Sequence, residues 1–205
     1  MQRLAGFPLI AYDTNCLVYY CFQVDIPETN PRITIKVRQT DQVRAVTDSL
    51  ISGQRKVTTI QEAYAELNEC VYNAVEERMT DREVEAQLGY SQGQKVPDQR
   101  KLQVQQSVER KVRKLENKGW FVLDRDYTAD DSALEKLRKF FGSQDQSKFG
   151  KSKKPGAVDL KLVDFSLAKK APLVTNDRGI SNFSNQLKTA GLGFAIYNLM
   201  DLKVP

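Results

Sequence analysis

Several apolar strands in this chain give way to a carboxylate. PLIAY, Pro8 to Tyr12, runs into Asp13-Thr14-Asn15, and APLVTNDRGIS, Ala171 to Ser181, carries its strand into Asn176-Asp177. Asp159 opens the apolar helix that precedes this second strand. KVTTI, Lys56 to Ile60, is followed by a helical stretch bearing Glu62, Glu66 and Glu69. Each acid also has a structural use: Asp13 and Asp159 suit helix N-caps, and Asp177 suits an Asx-turn or the cap of the next helix. Histidine is absent. That excludes Ser-His-Asp and Cys-His catalysis and any His-ligated metal, leaving carboxylates, lysines, hydroxyls or a hard metal.

The carboxyl ends of parallel strands lie along one edge of their sheet, where ligands bind. Acids that converge there repel one another and hold their protons more tightly unless they share a cation. Oxygen ligands without nitrogen or sulfur select Mg²⁺ or Mn²⁺. Such a site suits phosphoryl chemistry.

The elements needed to position these acids alternate along the chain. Strands are expected at Pro8–Tyr12, Arg32–Val37, Lys56–Ile60, Trp120–Leu123, Pro172–Thr175 and Phe194–Tyr197. Helices are expected at Asn15–Phe22, Thr40–Ile51 with Thr40 as cap, Gln61–Val75, Asp131–Phe141, Asp159–Lys170 and Ile180–Ala190. This alternation predicts an α/β fold with a mostly parallel sheet. Asp164 falls about 140° around its helix from Asp159 and is expected at the surface or behind the site.

The composition is that of one domain, residues 1–205, at 40% hydrophobic and 28% charged. No apolar run reaches the roughly 20 residues a membrane span needs, and the N-terminus lacks the pattern of a signal peptide. Cysteines number three, Cys16, Cys21 and Cys70, without zinc-site spacing. A reducing, cytoplasmic location is expected. The net charge of +5 suits an anionic partner. Two regions carry much of the positive charge. The polar stretch at about 76–118, read as a helical insertion, bears Arg110, Lys111, Arg113 and Lys114; the loop at about 142–156 bears Lys151, Lys153 and Lys154. Either is a solvated surface or a nucleic-acid contact.

Taken in order, Asp13-Thr14-Asn15 after the first strand, TIQEAYAELNE and VDLKLVDFSLAKKAPLVTND resemble a PIN-domain nuclease. The last segment is the most specific, because Asp159, the apolar helix, the Pro-Leu-Val strand and Thr175-Asn176-Asp177 keep the family's order and spacing. The resemblance covers the first 75 residues and roughly 119–205. It implies a three-layer α/β/α sandwich and a Mg²⁺- or Mn²⁺-dependent ribonuclease. Its metal and catalytic residues would be Asp13, Glu66, Asp159 and Asp177, supported by Asn15 and Thr175 through hydrogen bonds. RNA is the implied partner, gripped by the lysines and arginines of the two basic regions. An antitoxin or a second copy of the chain would be further partners. The basic insertion departs from compact toxin members and fits an RNA-processing enzyme, for example one that matures tRNA, equally well.

Other classes fit less of the sequence. A haloacid-dehalogenase-like phosphatase needs a second aspartate where Asn15 stands, and a receiver domain needs an acid after KVTTI. A non-catalytic RNA-binding module would keep the basic surface without requiring every acid.

Overall fold

Strands place successive side chains on opposite faces, and here both faces are apolar. In β1 (Leu9–Tyr12), Ile10 and Tyr12 enter one buried cluster and Ala11 another; in β6 (Leu173–Thr175), Val174 and Leu173 divide the same way. A sheet buried on both faces requires helices on both. The computed structural model, which describes residues 2–26, 33–36, 38–67, 86–87, 97–149 and 154–204, shows this three-layer arrangement. One face is covered by α1 (Thr14–Cys21), α2 (Arg38–Ser52) and α4 (Asp98–Arg113). The other is covered by α5 (Asp131–Gly142), α6 (Ala157–Lys169), α7 (Arg178–Ser181) and α8 (Ser184–Thr189). Helix α3, described over 61–67, gives Tyr64 and Leu67 to the first cluster and Ala63 to the second.

With β4 (Lys56–Ile60), β5 (Phe121–Asp124) and β7 (Ile196–Asn198), the sheet has the order β5-β4-β1-β6-β7, every pair parallel. Leu9 stands opposite Lys56, and Ala11 opposite Leu173. The chain leaves β1 for β4 and β5 on one side, then returns to β6 on the other. The boundary between β1 and β6 is therefore the switch point where ligands bind in open α/β sheets. Asp13 and Asp177 lie just beyond those two strands.

The expected strand at Arg32–Val37 is β3 (Ile33–Lys36). It pairs antiparallel with β2 (Gln23–Ile26), which was not expected, in a separate two-stranded sheet. Thr40 lies inside α2 rather than capping it, and its buried hydroxyl donates to the Phe22 carbonyl at 3.0 Å. The single helix expected over Ile180–Ala190 is two, with the side chain of Phe183 buried at the junction.

The two basic regions are also more closely packed than their composition implies. In α4, Val104, Val108 and Val112 recur every fourth residue, and with Leu115 they are buried in the same cluster as β1. Burying each such side chain stabilises by about 1.5–3 kcal/mol, so α4 is part of the main core. In the loop, Phe149 is buried 5.0 Å from the Phe183 ring, and Lys154 lies over Phe149 and donates to the Gly142 carbonyl at 3.2 Å. Lys151, Lys153, Glu69, Cys70 and most of the stretch between α3 and α4 lie outside the described residues. Among the described residues, no helix is long and apolar enough to cross a membrane.

Candidate active site at the carboxyl edge of the sheet

Asp13 is the best-anchored acid of this edge. It is only 3% exposed, because β1 and the first turn of α1 surround it. A buried carboxylate is costly unless hydrogen-bonded, and both of its oxygens are engaged. Oδ1 accepts from the Cys16 amide at 2.7 Å, so Asp13 caps α1. Oδ2 accepts from the Thr175 hydroxyl and from the Asn176 amide, the latter at 3.3 Å. Burial raises the Asp13 pKa, and these donors pull it back. From the neighbouring strand, the Thr59 hydroxyl donates to the Tyr12 carbonyl at 2.9 Å, bracing the turn from below.

Thr175 joins two of the acids. Its hydroxyl donates to Asp13 and accepts from the Asp177 amide at 2.8 Å. Asp177 in turn caps α7, accepting from the Gly179 amide at 2.6 Å. The capping and site readings of these residues are thus compatible: a cap fixes one carboxylate oxygen and the orientation of the group.

Asp159 sits at the third position of α6 and reaches back to the Gly156 amide at 2.8 Å. Its pKa is raised to about 6. Burial is the main cause, the charges of Asp13, Asp177 and Glu66 add to it, and the Gly156 amide opposes it. Asp13, Asp177 and Glu66 therefore all lie within electrostatic reach of Asp159. Among the described residues, no group of three acids or cysteines is arranged to hold a metal ion.

Glu66 is oriented by Thr14, whose hydroxyl donates to its Oε2 at 2.7 Å. The family resemblance names Asn15 as a residue supporting the acids and passes over Thr14. Asn15 is exposed, and no hydrogen bond links its side chain to the acids among the described residues. The only sequence cue to Thr14 is that it directly follows Asp13. Glu62 is half-buried and pairs with Lys161 at 2.7 Å, which lowers its pKa.

Asp164 is neither on the surface nor joined to the acids. It is 7% exposed and accepts hydrogen bonds from the Tyr127 hydroxyl and the Asp130 amide, tying α6 to the loop after β5. Asp124 ends β5 at the same edge but pairs with Lys169 at 2.8 Å. Next to Asp177, Arg178 and Ser181 help line a polar cavity of about 330 Å³ with Arg3, Asn182 and Asn198.

Of the basic residues, Arg110, Arg113 and Lys114 are exposed along and just beyond the end of α4, while Lys111 is half-buried.

No family model matches this chain, and no curated protein is significantly similar to it.

Proposed function

We propose that the chain is a PIN-like ribonuclease that hydrolyses RNA phosphodiester bonds with Mg²⁺ or Mn²⁺ at Asp13, Glu66, Asp159 and Asp177. The observation that carries this reading is convergence. Acids delivered by β1, α3, α6 and β6 share one edge at the switch point of a parallel sheet, and a single hydroxyl, that of Thr175, links two of them. An all-oxygen donor set without histidine fits a hard divalent ion. Binding one requires the acids to move closer or to ligate through water.

Such an ion, when bound, supplies Lewis acidity at the phosphate and an acidified water. The chain's residues do the rest. Thr175 and the amides of Cys16 and Asn176 hold Asp13 in place, Thr14 orients Glu66, and Asp159 supplies a carboxylate whose charge its acidic neighbours disfavour and a cation would favour. The partner is RNA in the cytoplasm. The role is that of a toxin-like RNase opposed by an antitoxin, or of an RNA-processing enzyme such as one that matures tRNA; a homodimer is compatible with either.

The test is cleavage of total RNA with Mg²⁺, Mn²⁺ or EDTA, comparing wild type with Asp13→Asn. The expected result is metal-dependent cleavage that falls at least about 10- to 100-fold in the variant, the loss typical of groups that only support a metal's ligands, with its circular dichroism unchanged. Wild-type protein that binds RNA but cuts it in neither metal would instead be a non-catalytic RNA-binding module.

A further inference from the structure

Helix α1 begins at the acids and ends, about 12 Å away at 1.5 Å per residue, beside a second and opposite environment. There a cavity of about 340 Å³ is lined by Tyr20, Cys21, Arg44, Lys111, Lys114 and Lys118, among others. Arg44 comes from α2, the lysines from α4 and the turn after it. Among the described residues, no carboxylate lines the cavity. Glu116, close by in sequence, is taken by Arg125, and Asp48, which acts electrostatically on Tyr20, lies outside the lining.

Arg44 is held ready. Its Nη2 donates to the Tyr20 carbonyl at 2.8 Å, and its guanidinium lies 4.9 Å from the centre of the Tyr20 ring. Its Nε is buried without a hydrogen-bond partner among the described residues. A buried, unmet donor costs about 1–3 kcal/mol; this one lies beneath the surface, so it leaves the guanidinium charge uncompensated from within while the pocket side of the group faces the cavity. Lys111, Arg44 and Lys118 all act on the buried Cys21 thiol, so their positive charges share one field. Tyr20 also packs edge-to-face on the half-buried Trp120, with ring centres 4.9 Å apart. Cations beside aromatic rings are the combination that holds single-stranded nucleic acid, by phosphate contact and base stacking.

We infer that Arg44, Lys111, Lys114 and Lys118 form a pocket for a backbone phosphate of an RNA strand whose scissile bond lies at the acids. This rests on the RNA reading above. A dinucleotide carries a single phosphodiester, so when that bond sits at the acids no phosphate remains for a pocket about 12 Å away along the helix.

The experiment measures binding of labelled RNA by anisotropy in EDTA, where no cleavage is required. It compares wild type, Lys114→Gln/Lys118→Gln and Arg44→Gln, each with an eight-nucleotide strand and a dinucleotide, over a range of salt. The lysine pair is exposed, so that variant keeps its melting temperature. Affinity for the longer strand is expected to fall about 5- to 10-fold, and the salt slope to flatten by about 0.7 for each phosphate that is no longer neutralised. Dinucleotide binding stays unchanged. An unchanged affinity and slope in folded variants would overturn the pocket, as would equal weakening for the dinucleotide. So would inorganic phosphate raising the wild-type melting temperature as much as the longer strand does, since the site would then serve free phosphate. RNA held through the pocket but never cut would sink the nuclease reading alone. RNA that is cut while the variants bind like wild type would sink the pocket alone.

Discussion

At its N-terminus α1 starts from Asp13, whose carboxylate accepts from two amides and a hydroxyl. At its C-terminus it borders a cluster of cations in which the Arg44 Nε meets no acceptor among the described residues. Both ends concentrate charge of one sign. They differ in how that charge is compensated. The acids are tied to backbone donors and hydroxyls belonging to the fold itself, so their hydrogen bonds are largely met while their mutual repulsion is not. In the cationic pocket the backbone contributes a carbonyl to Arg44, and no carboxylate of the described residues enters. The first arrangement is positioned by the fold and keeps like charges close together; the second gathers cations with no carboxylate of the described residues in its lining. On the nuclease reading proposed above, a metal ion and a phosphate would relieve the two clusters.

If that contrast is right, removing a polar partner should be expensive at the acids and cheap in the pocket. Thr175→Val gives the largest effect. It removes a donor from buried Asp13 and an acceptor from the Asp177 amide, and should cost about 2–4 kcal/mol in urea unfolding. A loss below about 1 kcal/mol would mean that the acids do not depend on this bridge.

Asp159→Asn should act in the opposite direction. The wild-type carboxyl has a folded-state pKa raised from the ordinary 3.8 to about 6. The stabilisation from its proton is therefore fully present below about pH 3.8 and is lost as the pH rises through about 6. At pH 7 without metal, the neutral amide should be more stable than the wild type by about 1–2 kcal/mol, allowing for solvent screening. The gain should vanish near pH 4, and Mn²⁺ should stabilise only the wild type appreciably. Melting curves at both pH values with and without Mn²⁺ decide it, and a variant less stable than wild type at the higher pH would contradict the shared repulsion.

The smallest effect belongs to Arg44→Met, which keeps the aliphatic stem, loses the bond to the Tyr20 carbonyl and removes the unmet Nε donor. Its stability should lie within about 1 kcal/mol of wild type. A cost as large as that of Thr175→Val would show that Arg44 is a structural residue and erase the contrast.

Much of the acidic edge was legible because it depends on order along the chain. An apolar strand followed by Asp13, and another followed by Asn176-Asp177, place both acids beyond the same sheet edge once strands and helices alternate. Thr175 was named only through the family resemblance; its hydroxyl meets both Asp13 and the Asp177 amide. The choice between Thr14 and Asn15 was not legible. The two side chains differ by about 100° around a helix, and which of them meets Glu66 is set by how α1 is rotated against α3. The role of Asp164 was hidden for a similar reason: its distance from Asp159 around α6 was readable, but Tyr127, packed against it from the loop after β5, was not.

The sequence by itself therefore determined the α/β alternation, the burial of the strands on both faces and the identity of acids that directly follow strands, because these depend on periodicity and on neighbours a few residues apart. Tertiary structure alone decided that α4 belongs to the core, that β3 pairs with β2 away from the main sheet, and that Arg44 shares a cavity with Lys111, Lys114 and Lys118. Those outcomes join segments far apart in the chain. No local pattern encodes them, since they follow from which apolar faces cover one another when the layers close.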